Sequence, residues 1–438
     1  MEWWLILLIV FGGFFIIMLT GLPLAFSFLF VTSIVMYVLA GSFGLEQLVL
    51  GIYDALAKFN LTPIPFFMIM GEVFYRSGLV GRTLDTISLW VKKIPGRLGI
   101  ITLLGGGLFA ALSGSTVANT AMFGSIMTPE MMKRGYAKEM ITGPIMASGA
   151  LAMVIPPSAL AVLLGSIAEV SVGRILIGAI LPGILLMVLY ILYIVLRCLL
   201  NPALAPAPPE DEQKIPLGGK ILAALRDIVP LLFIFLLVMG LIFFGIGTPT
   251  EAAALGAVGA FVVAAIYKSL SWKMTKDALM GALRVSAMML MIIGGSAGFS
   301  QVLAITGASR EAVQIVLGLP LPPLGIMVLM LLIVTLLGLF MEQASIMMIT
   351  LPLFMPLVRA LEINELLFCI LVLICLQVGQ LTPPVGLALF TMKAVSPPEI
   401  TMADIYKSAV PYVAIDVIAI LLLIIFPSIV IWLPSISM

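Results

Sequence analysis

The 438 residues contain no histidine. That removes the one side chain that ordinarily titrates near neutral pH, and with it the commonest catalytic base and metal ligand. Cysteine is nearly absent as well. The 3 present, Cys198, Cys369 and Cys375, sit in apolar segments without zinc or redox spacing and read as buried thiols. Charge is sparse: 10% of residues are charged and the formal net charge is +1, which provides no electrostatic footprint for nucleic acid. No Gly-x-x-x-x-Gly-Lys-Ser/Thr loop occurs, so ATP does not drive the chain directly. An intramembrane enzyme is also disfavoured, because neither a Ser–base pair at recognisable spacing nor an acidic metal cluster is present. The chain is read as a non-enzyme that needs no cofactor.

What the sequence has in abundance is hydrophobic length. Hydrophobic residues make up 62% and the mean hydropathy is +1.26. No soluble core is apolar throughout to that degree, so the chain reads as an all-α polytopic membrane protein. The start, Met1-Glu2-Trp3-Trp4, has neither a basic region nor a small-residue cleavage site, and reads as a retained first span with an interfacial Trp anchor. Runs at 3–19 and 23–40 predict a pair of spans, 46–59 an amphipathic surface helix, and 60–78 a further span. In the second half, spans are expected near 226–246, 249–267, 281–304 and 408–434.

Two stretches are apolar enough for a bilayer and yet interrupted. Gly105 to Ser166 is broken at Ser113-Gly114-Ser115-Thr116 and again at Pro156-Pro157-Ser158. Gly338 to Lys393 is broken at Met341-Glu342-Gln343-Ala344-Ser345 and again at Thr382-Pro383-Pro384. Pro129 precedes Pro156 by the same interval (156 − 129) as Pro356 precedes Pro383 (383 − 356). Both pairs are therefore offset by 227 (356 − 129), and few other residues match at that offset, so the repeat lies in the pattern of interruptions. In lipid a broken helix leaves N–H and C=O groups unpaired at several kcal/mol each unless protein or a water-lined cavity satisfies them. Interrupted segments at corresponding places in two halves point to the binding site of a secondary transporter.

The expected organisation is a first half, 1–198, with a re-entrant hairpin near 98–131 and a Pro-broken helix near 139–168. A polar, Pro-rich linker covers 199–220. The second half, 221–438, has its own hairpin near 322–360 and broken helix near 364–393. Thr306-Gly307 echoes Ser77-Gly78, and Pro411 echoes Pro182. With the 79–97 loop in the cytoplasm, most Lys and Arg fall inside, among them Arg76, Arg82, Arg97, Lys133, Arg134, Lys138, Arg197, Lys268 and Lys273. Lys58, Arg174, Arg310 and Arg359 fall outside. That asymmetry is in the expected direction. It places both termini in the periplasm and makes the halves inverted repeats.

Several residues could carry chemistry. Ser113, Ser115, Thr116 and Asn119 occupy the first tip. There, carbonyls ending one half-helix suit Na⁺ and the N–H groups starting the next suit a carboxylate. The alternative is small residues at a helix contact with hydroxyls bonded to backbone. The double prolines free carbonyls around Ala152 to Ile155 and Gly379 to Thr382; simple kinks are the alternative. Glu342 is an acid in an apolar run, by default a functional group. It could ligate a cation, carry a proton or orient substrate, or else lie at the surface or pair with a base. Glu72 reads as an interface or pairing residue. Gln301, Gln377 and Gln380 line a cavity or bridge helices.

At SGSTVANTAMFGSIMTPEMMKRGY, SGALAMVIPPS, GLFMEQASIMMITLPLFMPL and VGQLTPPVGLALF the chain resembles the large membrane subunit of a tripartite ATP-independent periplasmic (TRAP) transporter, and the resemblance covers essentially its whole length. It implies an elevator-type carrier of organic acid anions in the bacterial inner membrane, driven by a Na⁺ gradient. Carried over, one sodium site would use Ser113 with backbone at Ala152, Ile155 and Pro156. A second would use Gly338, Gly379 and Thr382. Ser113, Ser115, Ser158 and Glu342 would border the substrate. Ala152 stands where the family often has Gly, and Thr116 where it has Ser. The implied partners are a small four-helix membrane subunit, expected as a separate chain, and a periplasmic substrate-binding protein. A stand-alone sodium- or proton-coupled carboxylate carrier is the rival reading.

Overall fold

Ser, Thr and Asn sit at the helix starts, and the computed structural model uses them as caps. It describes residues 3–20, 22, 24–91, 94–113, 116–206, 216–318, 320–339, 341–384 and 386–437. Thr248 and Glu251 form a capping box, with Glu251 N–H donating to Thr248 Oγ1 (3.3 Å) and Thr248 N–H to Glu251 Oε2 (2.7 Å). Thr401 and Asp404 repeat the device at 3.2 and 2.9 Å. Each box satisfies two orphan donors at a helix start.

The described residues are helical with short turns. In the first half come α1 (Trp3–Leu19), α2 (Leu24–Leu56), α3 (Pro63–Arg76), α4 (Leu79–Trp90), α5 (Arg97–Ser113), α6 (Thr116–Lys133), α7 (Lys138–Ala150), α8 (Ala159–Ala168), α9 (Val172–Gly178) and α10 (Ile180–Leu200). In the second come α11 (Leu217–Asp227), α12 (Val229–Phe243), α13 (Pro249–Ile266), α14 (Trp272–Thr306), α15 (Ala308–Leu317), α16 (Pro323–Gly338), α17 (Gln343–Ala360), α18 (Glu365–Leu381), α19 (Leu387–Val395), α20 (Met402–Ile425) and α21 (Ser428–Ile436). Among the described residues, 6 helices are long and apolar enough to cross a membrane, or 7 if the bent pair α11–α12 counts as one.

Two bodies meet around the interrupted segments. In one, α14 lies along α2 and α3, and α13 packs on α3. In the other, α5 packs on α7 as α16 packs on α18, while α6 packs on α19 and α17 on α8. The outgoing arm of each interrupted pair thus rests on the second half-helix of the opposite repeat. Lipid offers no hydrophobic drive between helices, so close backbone approach and hydrogen bonds carry such contacts. Gly338 and Gly379 cross with main chain against main chain, and Thr142 and Ser408 share a hydrogen bond of 2.6 Å.

The echo at the arms has a backbone basis. Gly78 and Gly307 both take positive φ, +70° and +69°, turning α3 into α4 and α14 into α15. A Cβ is disfavoured in that left-handed region.

Several boundaries differ from expectation. Within α2 the backbone leaves helical geometry at Ala40 and Gly41, a kink that separates the run at 24–40 from that at 46–56 as expected, while the later part packs on α14 instead of standing apart. The span near 281–304 is the end of the 35-residue α14. The span near 226–246 is bent by 48° between α11 and α12. That near 408–434 divides at Phe426-Pro427 into α20 and α21. The expected linker is partly ordered: Leu204 C=O accepts from Ala137 N–H at 3.0 Å, and α11 begins at Leu217. Residues 207–215 lie outside the described residues.

Candidate functional site

Each double proline interrupts its helix for a definite reason. Pro156 and Pro157 stand four residues after Ala152 and Met153, so those carbonyls have no intrahelical donor. The chain tightens to a 3-10 turn over Leu151–Met153, bends, and restarts as α8 with Ser158 as cap, its Oγ accepting from Ala161 N–H at 3.4 Å. In the second repeat Gly379 C=O takes Thr382 N–H instead (3.3 Å), and Thr382 Oγ1 donates back to Val378 C=O (2.6 Å). Both Pro-Pro bonds, Pro156-Pro157 and Pro383-Pro384, are cis.

Between the two bodies lies a cavity of about 350 Å³. One wall is Met68, Gly71, Glu72 and Tyr75 of α3 with Val285, Met288 and Met289 of α14. The other wall is made largely of helix starts: Thr116 to Asn119 of α6, Leu160 of α8, Glu342 and Gln343 at α17, and Leu387 of α19. Four helix N-termini therefore converge here, each bringing the positive end of a helix dipole. That arrangement favours an anion.

The acidic residues modify this field. Glu342 caps α17, its Oε2 accepting from Ala344 N–H at 3.0 Å, so it occupies one N-terminus and presents a carboxylate to the cavity. Glu72 pairs with Arg76 at 2.8 Å and also lines the opposite wall; its carboxylate packs where a Cβ on Gly281 would lie. Among the described residues the lining includes no Lys or Arg.

Asn119 braces the first tip. Its Nδ2 donates to Gly106 C=O (3.1 Å) on α5 and Ser148 C=O (3.0 Å) on α7. Its Oδ1 and the Thr116 hydroxyl find no partner among the described residues. Asn119 thus ties the start of α6 to α5 and α7, with two buried oxygens left unpartnered among the described residues.

The expected site residues fall into groups. Ser113 ends α5, which packs on the 3-10 turn holding the fully buried Ala152. The Ser113 side chain and all of Ser115 lie outside the described residues. Ile155 and Pro156 form the bend, with Ile155 against Gly183 of α10. Gly338, Gly379 and Thr382 come together at the α16–α18 crossing. Glu342 lines the cavity; Ser158 is fully buried behind it as a cap.

The sequence reading passed over the α3–α14 wall. Met68, Gly71, Glu72 and Tyr75 recur at helical spacing on one face, and that period was the available signal. It also passed over Asp416. This buried acid lies in an apolar run of α20, where an ionisable group is itself a signal. Gln377 bonds to it at 2.9 Å. Gln301 is a brace, donating to Gln47 C=O at 2.8 Å.

Comparison with known proteins agrees with this architecture. Residues 11–429 match the family model "Tripartite ATP-independent periplasmic transporter, DctM component". The chain is 30% identical to the C4-dicarboxylate TRAP transporter large permease protein DctM of Vibrio cholerae, over 96% of each chain. It is 25% identical to the ectoine TRAP transporter large permease protein TeaC of Halomonas elongata, over 96% of this chain and 97% of that one. In three dimensions it is similar to the YdaH transporter of Alcanivorax borkumensis, with a TM-score of 0.66 and 15% identity over 91% of each chain, which shows a shared fold. With a family match over nearly its whole length, this multi-pass membrane protein belongs to the DctM-component, or large permease, family of tripartite ATP-independent periplasmic transporters.

Proposed function

We propose that this chain carries an organic acid anion into the bacterial cytoplasm together with Na⁺, after a periplasmic binding protein delivers the anion. A small four-helix membrane subunit completes the complex. The observation that carries this reading is the convergence of four helix N-termini on one cavity between two bodies. It supports an anion as cargo.

The lining as a whole supports a co-transported cation. Glu72 and Glu342 both line the cavity, and Arg76 is already paired. An entering anion meets two carboxylates in a site of reduced dielectric, where like charges cost far more than in water. Cations that enter with it offset that cost. The carbonyls freed at Ala152 and Met153, and the Gly338–Gly379–Thr382 crossing, are hard oxygen-rich places suited to Na⁺. Ser113 and Ser115 at the tip are assigned to the first ion and the substrate, and Ser158 to holding the start of α8 beneath it.

Transport in this reading is an elevator movement: the body built from α5–α8 and α16–α19 slides against α2, α3, α13 and α14. The Lys/Arg asymmetry supports an orientation with both termini outside and the Arg76 end of α3 in the cytoplasm. The cavity lies toward that end, and the other end of α3 is held to the moving body by Lys58–Glu169 (3.1 Å). The conformation is then inward-facing.

Relatives carry names as diverse as C4-dicarboxylate, sialic acid and ectoine transporters, so the binding protein is assigned the larger share of selectivity. The test is uptake of labelled organic acids into proteoliposomes holding this chain, its small subunit and its binding protein. Accumulation under an inward Na⁺ gradient, lost when choline replaces Na⁺ or when the binding protein is omitted, is expected. Uptake indifferent to Na⁺ would overturn the coupling, and uptake by this chain alone would identify a stand-alone carrier.

A further inference from the structure

Asp416 lies in α20 within the apolar run Val413 to Ile425 and is fully buried. Three elements pack around it. From α10, Tyr190 Oη donates to Asp416 Oδ1. From α18, Gln377 Nε2 donates to the same oxygen at 2.9 Å and to Tyr190 Oη at 2.7 Å. One turn earlier on α20, Tyr412 stands edge-on to Tyr190 with ring centroids 5.2 Å apart. Every contact thus goes to Oδ1. Asp416 Oδ2, Gln377 Oε1 and the Tyr412 hydroxyl are buried and without a partner among the described residues.

No positive charge faces this carboxyl. The nearest other titratable groups along α18 and α10 are Cys375 and Tyr193, whose ring stacks edge-on against Tyr412; Glu365, Cys369, Arg197 and Cys198 lie farther along those helices, and Tyr406 and the exposed Lys407 lie more than two turns before Asp416 on α20. On α7, Glu139 is bound to Arg197 at 3.0 Å. Lys138 is bound to Asp404 at 2.9 Å, three turns from Asp416 along α20. Lys393 of α19 donates to Ile400 C=O at 2.7 Å, and α21 carries no charge. A carboxylate here would be a buried charge with no counter-charge, which costs several kcal/mol even after relaxation. Two donors on one oxygen and none on the other leave Oδ2 open to a positive partner.

We propose that the Asp416–Gln377–Tyr190 cluster is a monovalent-cation site, holding Na⁺ or H⁺ at Asp416 Oδ2. It is separate from the cavity and from the oxygen-rich breaks. Gln377 sits two residues before Gly379, whose main chain rests on Gly338. Occupancy therefore fixes the half-helix α18 against α10 and α20 next to the second break. The cation neutralises the carboxylate, and Gln377 and Tyr190 orient it. The inference stands independently of the transport reading, since it concerns binding to the isolated subunit.

The test is thermal unfolding of the purified full chain in lipid nanodiscs. One arm titrates Na⁺ against choline at constant ionic strength and fixed pH. The other titrates pH in choline alone. The wild type is expected to gain stability with one of the two cations, and that arm names the ion. Asp416→Asn, neutral and of the same shape, is expected to remove that component while unfolding near the cation-saturated wild type. Tyr190→Phe keeps the carboxylate but strips one donor from it. It is expected to tighten cation binding, moving the half-saturation point at least about threefold, because a hydrogen bond to a charged group is stronger than a neutral one. A merely structural Tyr190 would lower the unfolding temperature equally at every cation concentration. Identical Na⁺ and pH responses in the wild type and Asp416→Asn would overturn the proposal. If Asp416→Asn does not fold, an unmoved half-saturation point in Tyr190→Phe overturns it instead.

Discussion

A Cβ placed on Gly338 would lie 2.9 Å from Gly379 Cα, and one placed on Gly379 would lie 2.8 Å from Gly338 C and 3.0 Å from Thr335 O. The crossing of α16 and α18 has room for hydrogen and nothing larger. Each of these neighbouring atoms is main chain, so no side chain can rotate away. Gly379→Ala is expected to push the two helices apart and cost about 1–3 kcal/mol, the usual range for overpacking. Thermal unfolding of the purified protein measures it. Gly81→Ala, where no atom lies within 4 Å of the added carbon, is the control and is expected to be neutral or stabilising.

Glu342 combines a cap with a charge. Glu342→Gln keeps an oxygen able to accept from Ala344 N–H and removes the charge alone. The fold is expected to survive, with the half-saturating Na⁺ concentration for uptake raised about tenfold, the equivalent of one charge-assisted contact. Initial rates against Na⁺ in proteoliposomes check it. An unchanged Na⁺ curve would place Glu342 outside the coupling machinery.

Asn119 joins three helices through one amide. Asn119→Asp removes both donors and sets a carboxylate against the Gly106 and Ser148 carbonyls. The expected loss is about 2–4 kcal/mol, since two hydrogen bonds go and a repulsion replaces them. Asn119→Ala is expected to cost less, as it adds no charge. Comparing the two unfolding temperatures separates loss of the brace from repulsion.

Lys58 and Glu169 form a bridge between exposed partners, 48% and 63% accessible. Such pairs contribute little to stability, so Lys58→Glu is expected to leave unfolding within about 1 kcal/mol of the wild type. Its effect should appear in geometry. Ser166 Oγ rests on Asn60 C=O at 3.5 Å beside the bridge. A Ser166→Cys reporter is expected to react faster with a polar maleimide once Lys58 is reversed. Cys198, Cys369 and Cys375 are all buried, so their background is low. Equal labelling with and without Lys58→Glu would show that the bridge does not hold the two bodies together.

The breaks were legible because proline acts locally. Pro156-Pro157 and Pro383-Pro384 remove donors wherever the chain goes, so the interruption can be read before any fold is known. Glu342 was legible for a related reason: an acid in an apolar run is costly in any arrangement. The opposite wall of the cavity was not. Glu72 reads as a pairing residue from its neighbours, and its bond to Arg76 agrees; only the approach of α14 turns the same carboxylate toward a cavity. Asp416 shows the limit most clearly. Its partners Tyr190 and Gln377 come from the end of the first half and the middle of the second, and nothing local connects them. The kink of α2 at Ala40-Gly41 was legible as a change from apolar to amphipathic, whereas the seating of its later part on α14 was not.

The crossed contacts, α6 on α19 and α17 on α8, bear on how the protein is made. When the first half leaves the ribosome, the faces of α6 and α8 that meet α19 and α17 are uncovered, because those partners are more than 170 residues away in a chain still being synthesised. The interrupted segments must wait in the membrane, shielded by the insertion machinery or by other helices, until α19 arrives. Cutting the chain within 207–215 should then give two fragments that are each degraded when expressed alone and recovered together when co-expressed.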